Sequence, residues 1–130
     1  METIELNHQF KVSAKRVYND WLSDKGHSLM TGGEATAKPI EGSHYTAWDD
    51  YIYGKQITLK EPTYIKQSWR STEFNEDDED SLVEIWLNDN ADGCELKLTH
   101  SNIPLGQGER YKSGWIEHYF EPMEKNYGKV

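Results

Sequence analysis

The chain has 130 residues and a formal net charge of −9, from 23 acidic against 14 basic side chains. That charge repels nucleic-acid phosphates and anionic lipid, so we expect neither nucleic-acid binding nor membrane insertion. Only 35% of the residues are apolar, but five Trp, eight Tyr and three Phe supply large side chains to bury. The length predicts one domain, residues 1–130. We expect its core to be aromatic and to need no disulfide or metal.

The cysteine content and the first residues bear on the compartment. Cys94 is the single cysteine, so no intramolecular disulfide can form, which is typical of a reducing environment. The residues 1–5 lack the basic start and apolar segment of a signal peptide. No apolar run approaches the roughly 20 residues of a membrane span. We therefore expect a soluble cytoplasmic protein.

The first third of the chain predicts a strand followed by two short helices. Apolar residues alternate with polar ones over 4–12, which is the period of a half-buried strand. Ser13 then stands as an N-cap, and apolar residues recur at helical spacing over 14–22, which predicts a helix of about three turns. A second helix is predicted over 26–31, ended by the glycine pair that follows it.

The middle of the chain predicts an antiparallel meander. Short strand-like segments are separated by turn-rich joints, including the acidic loop 75–80. The predicted strands are 45–48, 52–59, 64–71, 82–87 and 94–100.

The last element is predicted to be a helix. Tyr111, Trp115 and Tyr119 belong to a broad apolar face, and Pro122 should kink or interrupt the helix near Tyr119. The order is therefore β-α-α-β(n)-α, an α+β fold class with an antiparallel sheet and a C-terminal helix.

Strand parity indicates which side chains face that helix. Along each predicted strand, alternate side chains share one face, and the apolar faces include three polar residues, His8, Gln67 and His100. Burying a polar group without a hydrogen-bond partner lowers the stability by roughly 1–3 kcal/mol. Ligand pockets are mostly apolar with a few convergent polar groups, so these faces and the nearby aromatic residues predict a ligand-binding cavity. Its predicted residues are His8, Trp48, Gln67, Trp69, His100, Trp115 and Tyr119. A filled aromatic core in which the polar groups find protein partners is the alternative.

No signature of a metal site or of covalent catalysis is present in the sequence. The five histidines lack the spacing of a zinc helix or zinc knuckle, and the acidic loop lacks the pattern of an EF-hand. No serine stands in a nucleophile elbow. Cys94 and His100 lie about 20 Å apart on a strand that rises ~3.3 Å per residue, so Cys94 is predicted to be a buried core residue. We predict no metal, no cofactor and no catalytic residue.

Several segments resemble a known family across nearly the whole chain. They are Tyr18-Asn19-Asp20-Trp21-Leu22, 27–33, 45–49, Gly54-Lys55, 67–70, Ile103-Pro104, Gly114-Trp115 and Tyr119-Phe120. With the element order, they make the chain similar to the START-like helix-grip (SRPBCC) superfamily, and within it to the C-terminal-domain family of the heat-shock-protein-90 ATPase activator. The resemblance implies a curved sheet wrapped around the C-terminal helix, with a cavity between them that often accepts an apolar ligand.

Three functions follow as hypotheses. The first is a binding module for a hydrophobic or aromatic small molecule in the predicted cavity. The second, implied by the resemblance alone, is an interaction with a chaperone partner in stress biology, although only one domain is expected here. The third is a polyketide-cyclase-like enzyme, for which His8 and His100 are the candidate acid and base.

Overall fold

A six-stranded antiparallel sheet and a helix that occupies 108–127 form most of the protein, whose computed structural model describes residues 1–128. The strands follow the spatial order β1-β6-β5-β4-β3-β2. Their bounds are β1 Glu2–Phe10, β2 His44–Ala47, β3 Ile52–Lys60, β4 Tyr64–Ser71, β5 Ser81–Asn90 and β6 Gly93–Ile103. The helices are α1 Ala14–Trp21, α2 Asp24–Thr31, α3 Gly108–Trp115 and α4 Glu121–Tyr127, with a π-helical segment at Ile116–Phe120.

This architecture confirms the predicted helix-grip fold, in which a curved sheet packs around the C-terminal helix. β4 has the predicted bounds, whereas β5 and β6 extend further than the apolar pattern alone indicates. The extra residues of the β5–β6 hairpin pair through backbone hydrogen bonds, which polar side chains do not prevent. β1 ends at Phe10, so Val12 lies outside the strand.

Capping side chains set the residue at which each of the two short helices begins. The Ser13 hydroxyl accepts a hydrogen bond from the Arg16 backbone N–H at 3.2 Å, as expected for an N-cap. α1 has eight residues rather than the predicted three turns. α2 begins two residues earlier than predicted, because Ser23 accepts from Gly26 N–H at 2.8 Å. It ends at Thr31, and the next residue, Gly32, has a φ of 88°, in the left-handed region that glycine adopts without strain.

The C-terminal helix is interrupted just before Pro122, as its sequence predicts. A proline has no N–H and its ring clashes with the carbonyl four residues earlier, which is that of His118. The chain widens into the π-helical segment just before Pro122, so that the Glu121 N–H donates to the Ile116 carbonyl five residues back. Within residues 1–128, neither this helix nor any other is long and apolar enough to cross a membrane.

The first strand also sets the start of the C-terminal helix. The Glu2 carboxylate accepts hydrogen bonds from the backbone N–H groups of Gly106 at 2.9 Å and Gly108 at 2.7 Å. These bonds lower the pKa of Glu2 below its ordinary value. A carboxylate at this position satisfies N–H groups that the first turn of a helix leaves free. The helix is thus tied to the edge of the sheet that is farthest from β2.

Candidate functional site

An open cleft of about 560 Å³ lies between the C-terminal helix on one side and the β2–β3 hairpin and β4 on the other. This volume falls in the range of small-molecule pockets. We call it the aromatic cleft because six of its lining residues carry Trp or Tyr rings. It is lined by Trp48, Tyr51, Ile52, Trp69, Arg110, Tyr111, Ser113, Gly114, Trp115, Glu117, His118 and Tyr119.

The Trp115 ring is held in place by a chain of hydrogen bonds behind the cleft. Its indole N–H donates to Nδ1 of His100 at 3.1 Å. The other ring nitrogen, Nε2, therefore carries the proton and donates to the Ser81 hydroxyl at 2.8 Å, which in turn donates to the Trp69 carbonyl at 2.6 Å. This network ties the ring of Trp115 to the backbone of β4, because every polar atom in it has a partner.

A second buried histidine holds Tyr119. His27 lies on α2, and its Nδ1–H donates to the Trp21 carbonyl at 2.9 Å. Its Nε2 is then the acceptor of the Tyr119 hydroxyl at 2.8 Å. The Trp21 ring stacks on Tyr119 with a centroid distance of 5.1 Å. The first helices thus supply the support for one wall of the aromatic cleft.

Tyr111 is fixed in the same manner from the side of β4. Its hydroxyl donates to Oε1 of Gln107 at 2.5 Å and accepts from the Ser71 hydroxyl at 2.6 Å. Its ring meets that of Trp69 edge to face at 4.8 Å. Both hydrogen-bonding positions of the hydroxyl are therefore already used, so Tyr111 presents chiefly ring surface to the cleft.

Burial keeps both supporting histidines neutral. It lowers the pKa of His100 to about 3 and that of His27 to about 4. The cause is desolvation, since the charged imidazolium cannot be hydrated at either position. Burial also raises the pKa of Tyr111 to about 12. The inner walls of the aromatic cleft consequently carry no formal charge at neutral pH.

Trp48 differs from the other wall residues because its backbone is strained and its indole N–H is unpaired. Trp48, Asp49 and Asp50 have φ values of 51°, 57° and 71°, so three consecutive residues without a glycine adopt the left-handed conformation. The Trp48 N–H is shielded from solvent and finds no acceptor among residues 1–128. The ring fits against Gly33, where an added Cβ would lie 2.5 Å from Trp48 Cε3. Gly33 is therefore needed for this placement.

Charged groups occur only at the rim. Arg110, Glu117 and His118 are exposed. Arg110 forms an ion pair with Glu73 at 3.2 Å, and the edge of His118 packs on Trp48 at a centroid distance of 5.2 Å. Exposed pairs of this kind contribute little to stability. No cluster of three His, Cys, Asp or Glu side chains able to hold a metal ion occurs within residues 1–128.

The structure brings four of the seven predicted cavity residues together. Trp48, Trp69, Trp115 and Tyr119 line the aromatic cleft, although they come from the β2–β3 turn, β4 and the C-terminal helix. Whether they bind a ligand remains a prediction.

The three polar members of the predicted set do not line the aromatic cleft. His8 is half-buried elsewhere and bonds Glu124 at 3.1 Å. Gln67 is buried and donates to the Gln56 side chain at 2.9 Å. His100 supports Trp115 from behind. Parity placed each of these side chains on an inner face, but partners from other elements bond them and they lie outside the aromatic cleft. A role for them in ligand binding stays a prediction.

Sequence reasoning missed several contributors to this site, among them Tyr51, Tyr111 and His27. Tyr51 follows the left-handed turn and lines the cleft, yet it lies in a turn that strand parity does not describe. His27 lies in α2, and its bond to Tyr119 joins residues 92 positions apart in the chain. A buried histidine on a short amphipathic helix was the available signal, but no local pattern identifies its partner.

A family model and a curated relative both relate this chain to activators of the Hsp90 ATPase. The family model of Activator of Hsp90 ATPase homolog 1-like protein matches residues 11–127. The human activator of 90 kDa heat shock protein ATPase homolog 1 is 23% identical over 96% of this chain, and the chain spans 37% of that relative's length.

Two solved structures extend this similarity to the fold. A crystal structure of an HSP90 activator from Plasmodium falciparum has a TM-score of 0.86 and 24% identity, and the match covers 97% of this chain and 96% of that one. The solution structure of the Aha1 dimer from Colwellia psychrerythraea has a TM-score of 0.81 and 14% identity, covering 98% and 96%. On the evidence of the family model, which matches most of its length, the chain belongs to the Activator of Hsp90 ATPase homolog 1-like family.

Proposed function

We propose that the protein is a small-molecule binding module and that the aromatic cleft is its binding site. The observation that carries this proposal is an open cleft of about 560 Å³ whose inner walls consist of Trp and Tyr rings. A concave cleft of this volume with a mostly apolar lining is a feature of ligand sites. The hydrogen bonds behind Trp115, Tyr119 and Tyr111 support the proposal, because rings already fixed in place lose little conformational entropy when a ligand binds.

The test is a ligand panel with two independent signals. Fatty acids, sterols, flavonoids and aromatic polyketides are titrated while the melting temperature and the tryptophan emission are recorded. A ligand that binds the native state raises the melting temperature by mass action, and one beside Trp48, Trp69 or Trp115 changes the emission. A saturable change in both signals for one class is the expected result. No response to any class would contradict the proposal.

A second function is an interaction with an Hsp90-type chaperone. It is favoured by the family and by the Plasmodium falciparum structure, in which a chain of nearly the same extent is described as an HSP90 activator. The human relative is described as an ATPase activator, but this chain spans only 37% of its length, so the activity comes to this chain as a proposal.

The chaperone function predicts a direct and stoichiometric complex. Purified protein is mixed with the Hsp90-type chaperone of the same organism, and binding and ATP turnover are measured together. Binding with a faster ATPase would support the second function. An absence of binding at high micromolar concentration would contradict it and leave the small-molecule proposal unaffected.

A further inference from the structure

We propose that the aromatic cleft selects flat, uncharged aromatic compounds, which it holds between the buried rings of Trp69 and Trp115 and the ring of Trp48. This inference rests on the proposed small-molecule function and assigns it a ligand class. Aliphatic lipids and carboxylate ligands are the classes that it excludes.

The hydrogen bonds of the cleft walls argue against a polar ligand. The Trp115 N–H is used by His100, and the Tyr119 hydroxyl is used by His27. The Tyr111 hydroxyl already has two partners. A ligand with many polar groups would lose its hydration there without finding replacement hydrogen bonds, which is unfavourable. Apart from the unpaired Trp48 N–H, these walls therefore offer ring surface to a ligand.

Charge narrows the class further. Arg110 lines the rim, and it is exposed and paired with Glu73 at 3.2 Å. The supporting histidines His27 and His100 stay neutral because they are buried. A carboxylate placed among the rings would thus be desolvated without a cation to pair with it. A chain with net charge −9 also repels an anion before it reaches the cleft. The preferred ligand is uncharged.

Ring geometry favours a flat molecule over a puckered one. The Trp115 and Trp69 rings lie 6.2 Å apart at an angle of 41°, and Tyr111 meets Trp69 edge to face at 4.8 Å. Aromatic rings attract one another in offset-stacked and edge-to-face arrangements beyond the area that they bury. A saturated ring of the same size gains only the burial.

Trp48 differs from the hydrogen-bonded wall residues in how its polar atom is satisfied. Its indole N–H lacks an acceptor among residues 1–128, whereas the indole of Trp115 and the hydroxyls of Tyr111 and Tyr119 are hydrogen-bonded. Its backbone belongs to the left-handed turn through Asp50. Strained backbone of this kind persists where the surrounding structure holds it in place, and it concentrates at ligand sites.

The test uses matched probes in isothermal titration calorimetry at pH 7. Binding of 2-naphthol is compared with trans-2-decalol, which has the same skeleton and hydroxyl but puckered saturated rings. Binding of 2-naphthamide is compared with the charged 2-naphthoate. We expect 2-naphthol to bind about tenfold tighter than the decalol because of the additional attraction between aromatic rings. We expect the amide to bind about tenfold tighter or more than the carboxylate, whose charge would lose its hydration without a cation to pair with it. Trp48→Leu should remove most of the preference for 2-naphthol.

Trp86→Leu is the matched control, because Trp86 lies on the outer face of β5 and is 36% exposed. It should leave both preferences unchanged. Equal binding of naphthol and decalol, or of the amide and the carboxylate, would overturn the ligand class while the small-molecule function stands. An absence of binding by all four probes, together with no response in the ligand panel, would overturn both. An unchanged preference in Trp48→Leu would overturn the role of Trp48, and the wild-type ratios test the class even if that variant fails to fold.

Discussion

Replacing His100 with glutamine should make the protein less sensitive to acid, even though the variant is less stable at neutral pH. His100 is fully buried, and burial lowers its pKa to about 3, while His27 is lowered to about 4. An unfolded histidine titrates near 6.5. Between these values the unfolded chain binds protons that the folded chain does not. Stability is therefore fully present above about pH 6.5 and is lost as the pH falls toward the folded pKa values.

The magnitude follows from the size of the shifts. Each pH unit below 6.5 removes about 1.4 kcal/mol per histidine from the free energy of unfolding. At pH 4.5 the two histidines together should cost about 5 kcal/mol, a large part of the total stability of about 5–15 kcal/mol that is usual for a domain. Without His100, the loss over the same interval should fall to about half. At pH 7, imperfect replacement of its bonds to Trp115 and Ser81 should cost about 1–3 kcal/mol.

Urea unfolding at pH 7, 5.5 and 4.5 measures this directly. The wild type is compared with His100→Gln and with His44→Gln, in which an exposed histidine on β2 is replaced. Carboxylates also titrate at the lowest pH, but they contribute equally to all three proteins and cancel in the differences. The reasoning would be refuted if His100→Gln lost as much stability as the wild type between pH 7 and pH 4.5.

Three further predictions concern the walls and the core. Tyr119→Phe should lower the free energy of unfolding by about 1–3 kcal/mol in urea titrations, because it leaves the buried Nε2 of His27 without a partner. Gly33→Ala should displace the Trp48 ring, since the new Cβ would lie 2.5 Å from it, and should shift the tryptophan emission. Cys94 is fully buried, and burial raises its pKa to about 11, so it should react with a disulfide reagent only when urea unfolds the chain.

A specific experimental result would contradict each of these predictions. Gly114→Ala is the control for Gly33→Ala, because nothing lies within 4 Å of its added Cβ and alanine is the better helix former; it should stabilise the protein slightly. Equal emission spectra for the two variants would contradict the packing argument. Unchanged stability of Tyr119→Phe would show that His27 finds another partner. Rapid labelling of Cys94 without urea would contradict its burial.

Local sequence patterns were sufficient to predict most of the fold. The alternation in β4, the cap at Ser13 and the interruption before Pro122 depend on neighbours in the chain, and all three are observed. The extent of the β5–β6 hairpin was underestimated, because its ends pair through the backbone and carry polar side chains such as Asn88 and Asn90.

The candidate site was only partly predictable, for a different reason. Large aromatic residues on inner faces, such as Trp69 and Trp115, had few places to be buried other than around the C-terminal helix. The fate of a polar residue on such a face depends on a partner that sequence does not identify. His100 is hydrogen-bonded to Ser81 and Trp115, and Gln67 is hydrogen-bonded to Gln56. Neither side chain therefore lines the cleft.

The measurement that tests the small-molecule site most directly is a two-dimensional NMR titration of the ¹⁵N-labelled protein with 2-naphthol. The indole N–H signals of the five tryptophans are followed after assignment by Trp→Phe variants. The account predicts saturable shifts for Trp48, Trp69 and Trp115, which line the aromatic cleft, and an unchanged signal for Trp86 on the outer face. Shifts confined to Trp86, or no shift at any indole up to the solubility limit of the probe, would contradict it.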